Sequence, residues 1–229
     1  MKAAGKPPVL DRVDLTLARG EIFALLGENG AGKTTLLKIV AGLARADAGS
    51  ITLFGSGEPG ASPELRRRVS YGGGERGFYY RLTARENLDF FARLEGLAAR
   101  TRRDRVEASL DIVDLGYAAR KRFADLSTGM RQRLSIARTL LGDPDVLLLD
   151  EPTRALDPLH ASELRGFVRG TLARRLGKTI LVATNLLDEA FELADRGAVL
   201  RDAHLHDLDI GAGRSALPPA SELFGSRGA

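Results

Sequence analysis

Residues 27–34, Gly27-Glu28-Asn29-Gly30-Ala31-Gly32-Lys33-Thr34, decide the fold of this chain. The stretch fits the pattern G-x-x-x-x-G-K-[ST] and lies between an apolar run, 21–26, and a helical pattern, 33–43. Glycines in such a loop let backbone N–H groups turn towards phosphate oxygens, and the start of the following helix adds positive potential. The lysine reaches the outer phosphates, and the threonine hydroxyl is a ligand for Mg²⁺. The stretch therefore predicts a nucleoside-triphosphate site on a strand–loop–helix unit.

Two carboxylates follow a second buried strand. The apolar run 146–149 leads directly to Asp150 and Glu151. Because ligands of open α/β sheets bind at the carboxyl ends of the strands, we expect Asp150 to hold Mg²⁺, directly or through water. We expect Glu151 to polarise an attacking water. Alone, this pattern is also typical of a solvated acidic turn. Together with residues 27–34 it indicates a triphosphate site, which kinases, GTPases and many ATPases share.

The rest of the chain alternates strand and helix patterns, which favours a parallel α/β sheet. Between about 75 and 142 this alternation gives way to helical patterns, opened by a capping box at Thr83 and Glu86. Asp157 before Pro158 is a second helix start, with an aspartate cap and proline at the first position. Further strands are expected at 13–17, 51–53, 179–183 and 198–200.

Composition narrows the class of protein. The 229 residues carry a net charge of +4 and no cysteine, which excludes disulfides and thiolate chemistry. No apolar run approaches the roughly 20 residues of a membrane span, and the N-terminus lacks the apolar core of a signal peptide. We therefore expect a cytoplasmic protein that does not itself cross a membrane.

A third motif identifies the family that the chain resembles. Residues 126–133, Leu-Ser-Thr-Gly-Met-Arg-Gln-Arg, resemble the signature sequence of ATP-binding cassette (ABC) proteins, in the variant often found in ABC-2 type exporters. Residues 27–35 resemble the Walker A motif of that family, and residues 146–151 resemble its Walker B motif with the catalytic glutamate. Residues 155–157 resemble its D-loop. The order and spacing of these motifs match the family over nearly the whole chain.

The resemblance implies an α/β fold: a P-loop NTPase core with an antiparallel β N-terminal sheet and an inserted helical subdomain. It implies one ATP-binding domain over 1–229, with 1–74 and 143–229 forming the core lobe and 75–142 forming the helical lobe. ATP with Mg²⁺ would lie between Walker A of one cassette and the signature of a second. The residues expected to contact this nucleotide are Gly27, Glu28, Asn29, Gly30, Ala31, Gly32, Lys33, Thr34, Thr35, Ser127, Gly129 and Asp157, with Thr34 and Asp150 on the metal.

The resemblance also implies partners and a location. Two cassettes, as a homodimer or heterodimer, would close on ATP and open after hydrolysis, and would thereby drive the separate transmembrane permease of an ABC-2 type exporter. The chain would then be cytoplasmic and peripheral on the inner face of the cell membrane. Aromatic residues at 78–80 either receive this permease or pack the junction between the lobes.

Three positions depart from the family. Asn185 stands where the family has its switch histidine, and it cannot carry a proton as a histidine can. Gly74 stands at the position of the Q-loop glutamine, although Glu75 could serve if the loop shifts by one residue. Ala4 lies about where an aromatic ring stacks on adenine. We therefore expect slow hydrolysis, with Glu151 and Asn185 as the catalytic residues.

Two alternatives remain at this stage. The chain could be a hydrolysis-poor cassette that regulates an active homologue. It could also be a soluble ABC protein that acts on nucleic acid or ribosomes, because arginines cluster at 66–68, 100–105 and 120–122. These clusters lack interleaved aromatics and a known DNA-binding module, so no nucleic acid partner is expected, and a solvated helical face near anionic lipid is favoured.

Overall fold

The computed structural model describes residues 7–55, 63–75 and 77–211. One expectation, the position of Ala4, lies outside these residues. Among the described residues, no helix is both long enough and apolar enough to cross a bilayer.

Strands and helices alternate along the chain. The strands are β1 (Ile22–Leu26), β2 (Val69–Gly72), β3 (Val146–Asp150), β4 (Thr179–Thr184), β5 (Arg196–Arg201) and β6 (His204–Leu208). The α-helices are α1 (Lys33–Val40), α2 (Pro63–Arg67), α3 (Ala84–Leu94), α4 (Ala99–Ile112), α5 (Thr128–Thr139), α6 (Pro158–Phe167) and α7 (Leu187–Leu193). A π-helical segment, Val168–Arg175, continues α6.

The described strands form one sheet in the order β2-β3-β4-β1-β5-β6. The first five are parallel, and β6 pairs antiparallel with β5 at the edge. Strand β4 lies between β1 and β3, with Leu26 opposite Thr184 and Asp150 opposite Ala183. The carboxyl ends of these three strands therefore meet at one edge of the sheet, which is where such sheets bind ligands.

The parallel strands are apolar on both faces because helices cover both faces of the sheet. In β1, Ile22, Ala24 and Leu26 pack into a core shared with α3, α4, α5 and α6. Phe23 and Leu25 point the other way, into a core shared with α1. All five side chains are buried, so the apolar run that predicted this strand also explains its central place.

The antiparallel N-terminal sheet is not formed as a ladder among the described residues. Residues 13–17 form no strand, and Val13, Leu15 and Leu17 pack on the α1 core while the residues between them are exposed. Residues 51–53 likewise form no strand beyond a single bridge at Leu53. Alternating burial produces the period-2 pattern without ladder hydrogen bonds, which explains why the pattern predicted strands at both places.

The stretch between β2 and β3 is helical, with α3, α4 and α5 packed on one another. The capping box is present at the start of α3: the Thr83 hydroxyl accepts from the Glu86 N–H, and the Glu86 carboxylate accepts from the Thr83 N–H. Ser127 caps α5 through a bond from the Met130 N–H. These caps fix where the helices begin, and α5 is the helix that carries residues 128–133.

Candidate nucleotide-binding site

The loop between β1 and α1 depends on glycine at three points. Gly30 and Gly32 have φ of 87° and 109°, a backbone region that favours glycine. A Cβ on Gly27 would lie 2.8 Å from the Leu200 carbonyl oxygen of β5, so the loop leaves the sheet by a close backbone approach. At its other end, Gly32 precedes α1, and Val9 covers it so closely that a Cβ would lie 3.0 Å from the Val9 carbonyl oxygen.

Lys33, the first residue of α1, is buried inside this loop and is 5% exposed. Its ammonium donates to the carbonyl oxygens of Gly27 at 2.6 Å and Glu28 at 3.0 Å. Burial lowers the pKa of Lys33, and the carboxylates of Glu151 and Asp150 act in the opposite direction. The positive charge is therefore held where the loop and the helix N-terminus meet, which suits a bound phosphate.

Asp150 at the end of β3 meets the start of α1. One of its oxygens, Oδ2, accepts hydrogen bonds from the Thr34 hydroxyl and from the Tyr71 hydroxyl, each at 2.8 Å. A hydroxyl and a carboxylate are hard oxygen donors, and Mg²⁺ is commonly held by one or two such groups together with phosphates and water. The chemistry of Thr34 and Asp150 thus fits a magnesium ion.

Glu151 lies one residue beyond the strand, in a left-handed conformation with φ of 49°. Its backbone N–H donates to the Ala183 carbonyl oxygen of β4, which fixes the bend. Its carboxylate accepts a hydrogen bond from Arg154 at 2.5 Å. The Glu151 side chain is 17% exposed and that of Arg154 is 64% exposed, so the carboxylate lies at the edge of the site under an exposed arginine.

Asn185 follows β4 and faces the same loop. Its amide Nδ2 lies 3.4 Å from Oδ1 of Asn29. The ends of β1, β3 and β4 therefore bring the loop residues together with the residues that follow β3 and β4. The residues brought together are Asn29, Lys33, Thr34, Asp150, Glu151 and Asn185. Of the other predicted loop residues, Ala31 donates its N–H to the Glu28 carbonyl oxygen, and Thr35 is half-buried on α1.

Ser127, Gly129 and Asp157 form a second group, at the starts of α5 and α6. Asp157 caps α6 through bonds from the Leu159 and His160 N–H groups, and its carboxylate also contacts the His160 ring. Gly129 lies beside that ring, since a Cβ on it would be 3.5 Å from His160 Cδ2. The His160 ring thus lies between Gly129 and Asp157, and Ser127 caps the helix that carries Gly129. None of these contacts involves the 27–34 loop.

Residues 72–74 connect β2 to the helical region. Gly74 has φ of 71°, and its carbonyl oxygen accepts a hydrogen bond from the buried Ser135 hydroxyl of α5 at 2.9 Å. The carboxylate of Glu75 pairs with Arg131 of α5 at 3.7 Å. This loop is therefore tied to α5 by a hydrogen bond and an ion pair.

Two residues that contact the site, Tyr71 and Arg154, were not predicted from the sequence. Tyr71 bonds Asp150 from the adjacent strand, and the signal for it was a tyrosine directly before three glycines. Arg154 covers Glu151 from three residues further along the chain, a spacing that suits contact on a turn. Both contacts touch carboxylates to which the sequence assigns chemistry.

The family of this chain follows from the match of its motifs and its fold. The family model described as "ABC transporter" matches residues 10–154, more than half of the chain. The chain belongs to the ABC transporter family. Solved ABC cassettes share its architecture: the ATP-binding cassette MJ0796, in a dimeric post-hydrolysis state bound to ADP and Pi, superimposes with a TM-score of 0.76 at 26% identity, over 90% of this chain and 92% of that one.

A second solved cassette is cbiO1 of Clostridium perfringens, part of the ABC transporter complex cbiONQ. It has a TM-score of 0.76 at 27% identity, over 86% of this chain and 80% of its own. These likenesses confirm the predicted P-loop fold class.

Curated relatives of this ABC protein are ATP-binding proteins named for transport, export or drug resistance. The bacitracin transport ATP-binding protein BcrA of Enterococcus faecalis is 38% identical over 89% of this chain and 65% of its own length. The Nod factor export ATP-binding protein I of Burkholderia orbicola is 41% identical over 88% and 66%. The daunorubicin resistance ATP-binding protein DrrA3 of Streptomyces coeruleorubidus is 40% identical over 87% and 62%. The chain thus spans slightly less than two thirds of the length of these relatives.

Proposed function

We propose that this chain binds ATP with Mg²⁺ and hydrolyses it as the ATP-binding subunit of an ABC exporter. The observation that carries the proposal is the contact between Thr34 and Asp150, 2.8 Å apart at the mouth of a glycine loop that contains a buried lysine. The loop N–H groups and the Lys33 ammonium can bind phosphates. The hard oxygens of Thr34 and Asp150 can bind a magnesium ion.

Each group has a part in this scheme. The loop N–H groups and Lys33 bind and orient the phosphates. Thr34 and Asp150 would hold a magnesium ion, which would supply positive charge against the phosphate oxygens. Glu151 takes up the proton of an attacking water. One oxygen of its carboxylate already accepts a hydrogen bond from Arg154, so the carboxylate must either break this bond or use its other oxygen. Asn185 offers an amide donor to the outer phosphate but cannot carry a proton, and no glutamine stands at Gly74. We therefore expect turnover to be slow.

A second cassette, identical or homologous, completes the site. The support is the separate group at the starts of α5 and α6, where small residues precede a helix and leave room for an anion. Ser127 and Gly129 would contact the outer phosphate of ATP held by the partner. Asp157 would join the two sites across the dimer, as its resemblance to the D-loop of the family implies. The dimeric state of the solved cassette MJ0796 supports the pairing of two cassettes.

A separate permease would be driven by the closing and opening of the two cassettes. The relatives named for bacitracin transport, Nod factor export and daunorubicin resistance support coupling to an exporter, with the chain peripheral on the inner face of the membrane. Phe78 is buried, but Tyr79 and Tyr80 are 49% and 58% exposed. These two tyrosines are our candidates for the surface that binds the permease.

The alternative is a cassette that binds ATP and leaves hydrolysis to a homologous partner. It is favoured by the same two positions, Asn185 and Gly74. The nucleic-acid alternative has less support, because arginines of the basic runs are engaged in ion pairs: Arg68 with Asp145 and Arg102 with Asp89.

The test is phosphate release from Mg-ATP at several protein concentrations, for the wild type, Glu151→Gln and Asn185→His. The proposal expects a wild-type rate that rises with dimer formation and disappears in Glu151→Gln, and a higher rate in Asn185→His. A silent wild type that Asn185→His rescues would favour the hydrolysis-poor alternative. Failure of the wild type to bind ATP, measured by a separate nucleotide titration, would contradict both.

A further inference from the structure

The hydroxyl of Tyr71 touches a group to which we assign metal binding. Tyr71 lies on β2, opposite Leu148 of the neighbouring strand β3. Its hydroxyl donates to Oδ2 of Asp150 at 2.8 Å, and the Thr34 hydroxyl donates to the same oxygen. The Asp150 carboxylate is thus held from two sides, by a helix start and by a strand.

The three glycines after Tyr71 make room for this arrangement. A Cβ on Gly73 would lie 2.7 Å from the Tyr71 ring carbon Cε1 and 2.7 Å from its hydroxyl. A Cβ on Gly72 would lie 2.9 Å from Cγ2 of Thr139 in α5. Contacts this short do not occur between real side chains, so larger residues at 72 and 73 would move the loop, the ring or α5.

The loop that covers the tyrosine is also fastened at its far end. The hydroxyl of Ser135, a residue that is 4% exposed, donates to the carbonyl oxygen of Gly74. A short path of hydrogen bonds and packing therefore leads from α5 through residues 73 and 74 to Tyr71 and Asp150. Helix α5 begins with the signature residues.

We propose that Tyr71 is a positioning residue for the magnesium-site carboxylate, and that glycine at 73 serves to seat its ring. The proposal rests on the proposed binding of Mg-ATP. The physical reason is that a metal ligand fixed by an outer hydrogen bond needs no reorientation when the metal binds, and loss of such a partner weakens metal affinity. In a chain with Gly74 at the glutamine position, Tyr71 gives the end of β2 a polar contact with the metal site.

The experiment measures metal and nucleotide binding separately in the full chain. Mn²⁺ affinity is measured by electron paramagnetic resonance with saturating ATP, in the hydrolysis-blocked Glu151→Gln background. ATP affinity is measured with a fluorescent analogue in EDTA. We expect Tyr71→Phe to weaken Mn²⁺ binding about 3- to 10-fold, the range for one lost hydrogen bond, and to change metal-free ATP affinity by less than about twofold.

Matched variants separate positioning from damage to the fold. Tyr117→Phe removes a hydroxyl from an exposed tyrosine and should leave both affinities unchanged. Gly73→Ala should reproduce the loss of Mn²⁺ affinity by displacing the ring. Gly166→Ala is its control, because a Cβ there meets no atom within 4 Å.

Three results would overturn the proposal. Wild-type Mn²⁺ affinity in Tyr71→Phe would show that the hydroxyl does not hold the carboxylate. Equal losses of Mn²⁺ and metal-free ATP affinity would show that Tyr71 shapes the loop as a whole. A parent chain that binds neither ATP nor Mn²⁺ would refute the proposed function itself. This result is distinct from the first two, because there would be no parent affinity with which to compare the variants.

Discussion

The amide of Asn185 and the amide of Asn29 lie 3.4 Å apart, Nδ2 to Oδ1, so the residue after β4 contacts the phosphate loop after β1. The contact is long for a hydrogen bond, and its contribution to stability is correspondingly small. Its importance is positional, because it shows that the side chain at the altered switch position points at the loop.

Asn185→Ala should therefore lower the turnover number about 3- to 10-fold, because an amide donor towards the outer phosphate is lost while the fold is kept. Steady-state phosphate release measures the change. In the double variant with Asn29→Ala the two effects should not add, since the residues are in contact. Turnover like that of the wild type in Asn185→Ala would sink the idea that this position matters here.

Arg154 restrains the candidate general base. Its guanidinium occupies an oxygen of Glu151, so Arg154→Ala should free that carboxylate and raise turnover several-fold. As an exposed ion pair, the contact adds little to stability, and the melting temperature should stay within a degree or two. Arg103→Ala, an exposed arginine on α4, is the control. A fall in turnover would instead make Arg154 part of the working site.

Gly129 and Gly32 should respond differently to alanine. A Cβ on Gly129 meets His160 at an ordinary 3.5 Å, so Gly129→Ala should fold and bind ATP normally yet lose ATP-dependent dimer formation. Gly32→Ala should instead cost about 1–3 kcal/mol of stability, because φ is 109° and Val9 lies 3.0 Å from the new atom. Thermal melting and size-exclusion chromatography with ATP distinguish the two. Normal dimerisation of Gly129→Ala would contradict the shared-site arrangement.

Glu189 of α7 gives a pH-dependent prediction. The residue is 1% exposed, and neither carboxyl oxygen makes a hydrogen bond among the described residues, although the hydroxyls of Thr184 and Thr153 face the carboxyl group. Burial raises the pKa of Glu189, the two hydroxyls and Arg165 oppose this rise, and the charge of Glu151 adds to it.

Because the pKa of Glu189 is raised in the folded state, the folded protein keeps this proton at pH values above the ordinary carboxyl pKa. At those pH values the unfolded chain has already released it. Stability therefore falls as the pH rises from the ordinary pKa towards the raised pKa. Glu189→Gln, which cannot ionise, should melt about 2–4 °C higher than the wild type at pH 8, corresponding to about 1 kcal/mol, and the gain should shrink at pH 5. Glu163→Gln, an exposed change on α6, should show no such trend. A gain independent of pH would contradict the argument.

The double variant Tyr79→Ser, Tyr80→Ser should weaken binding to the permease and leave ATP affinity unchanged. Both rings are exposed at one edge, although each packs edge-on against a phenylalanine, Phe90 and Phe123 respectively. Co-purification with the permease and nucleotide titration provide the two readouts, and Tyr117→Ser is the control. If ATP affinity falls together with permease binding, the tyrosines belong to the core of the helical region.

Features encoded locally in the sequence were predictable. The glycine loop, the capping box at Thr83 and Glu86, and the caps at Ser127 and Asp157 each depend on residues a few positions apart, and all are present. The buried strands β1, β3 and β4 were equally clear because they are apolar on both faces. The strand predicted at residues 13–17 was wrong, because burial alternates along these residues without the hydrogen bonds of a ladder.

Features that depend on strand order were not predictable from spacing. Tyr71 and Asp150 are 79 residues apart, and only the pairing of β2 with β3 brings them together. The Ser135 contact with Gly74 likewise needs α5 to lie over the end of β2. Arg154 lies close to Glu151 in sequence, but the left-handed turn at Glu151 had no signal in the residue types.

The candidate site draws on three strands that are distant along the chain, with Thr34 bonded to Asp150 and Asn29 facing Asn185. While the protein is being synthesised, the phosphate loop emerges from the ribosome long before β3 and β4 exist to complete it. A nascent chain that ends before Asn185 should therefore bind nucleotide poorly. ATP would then stabilise the finished protein selectively and would give partly made chains little protection from proteolysis.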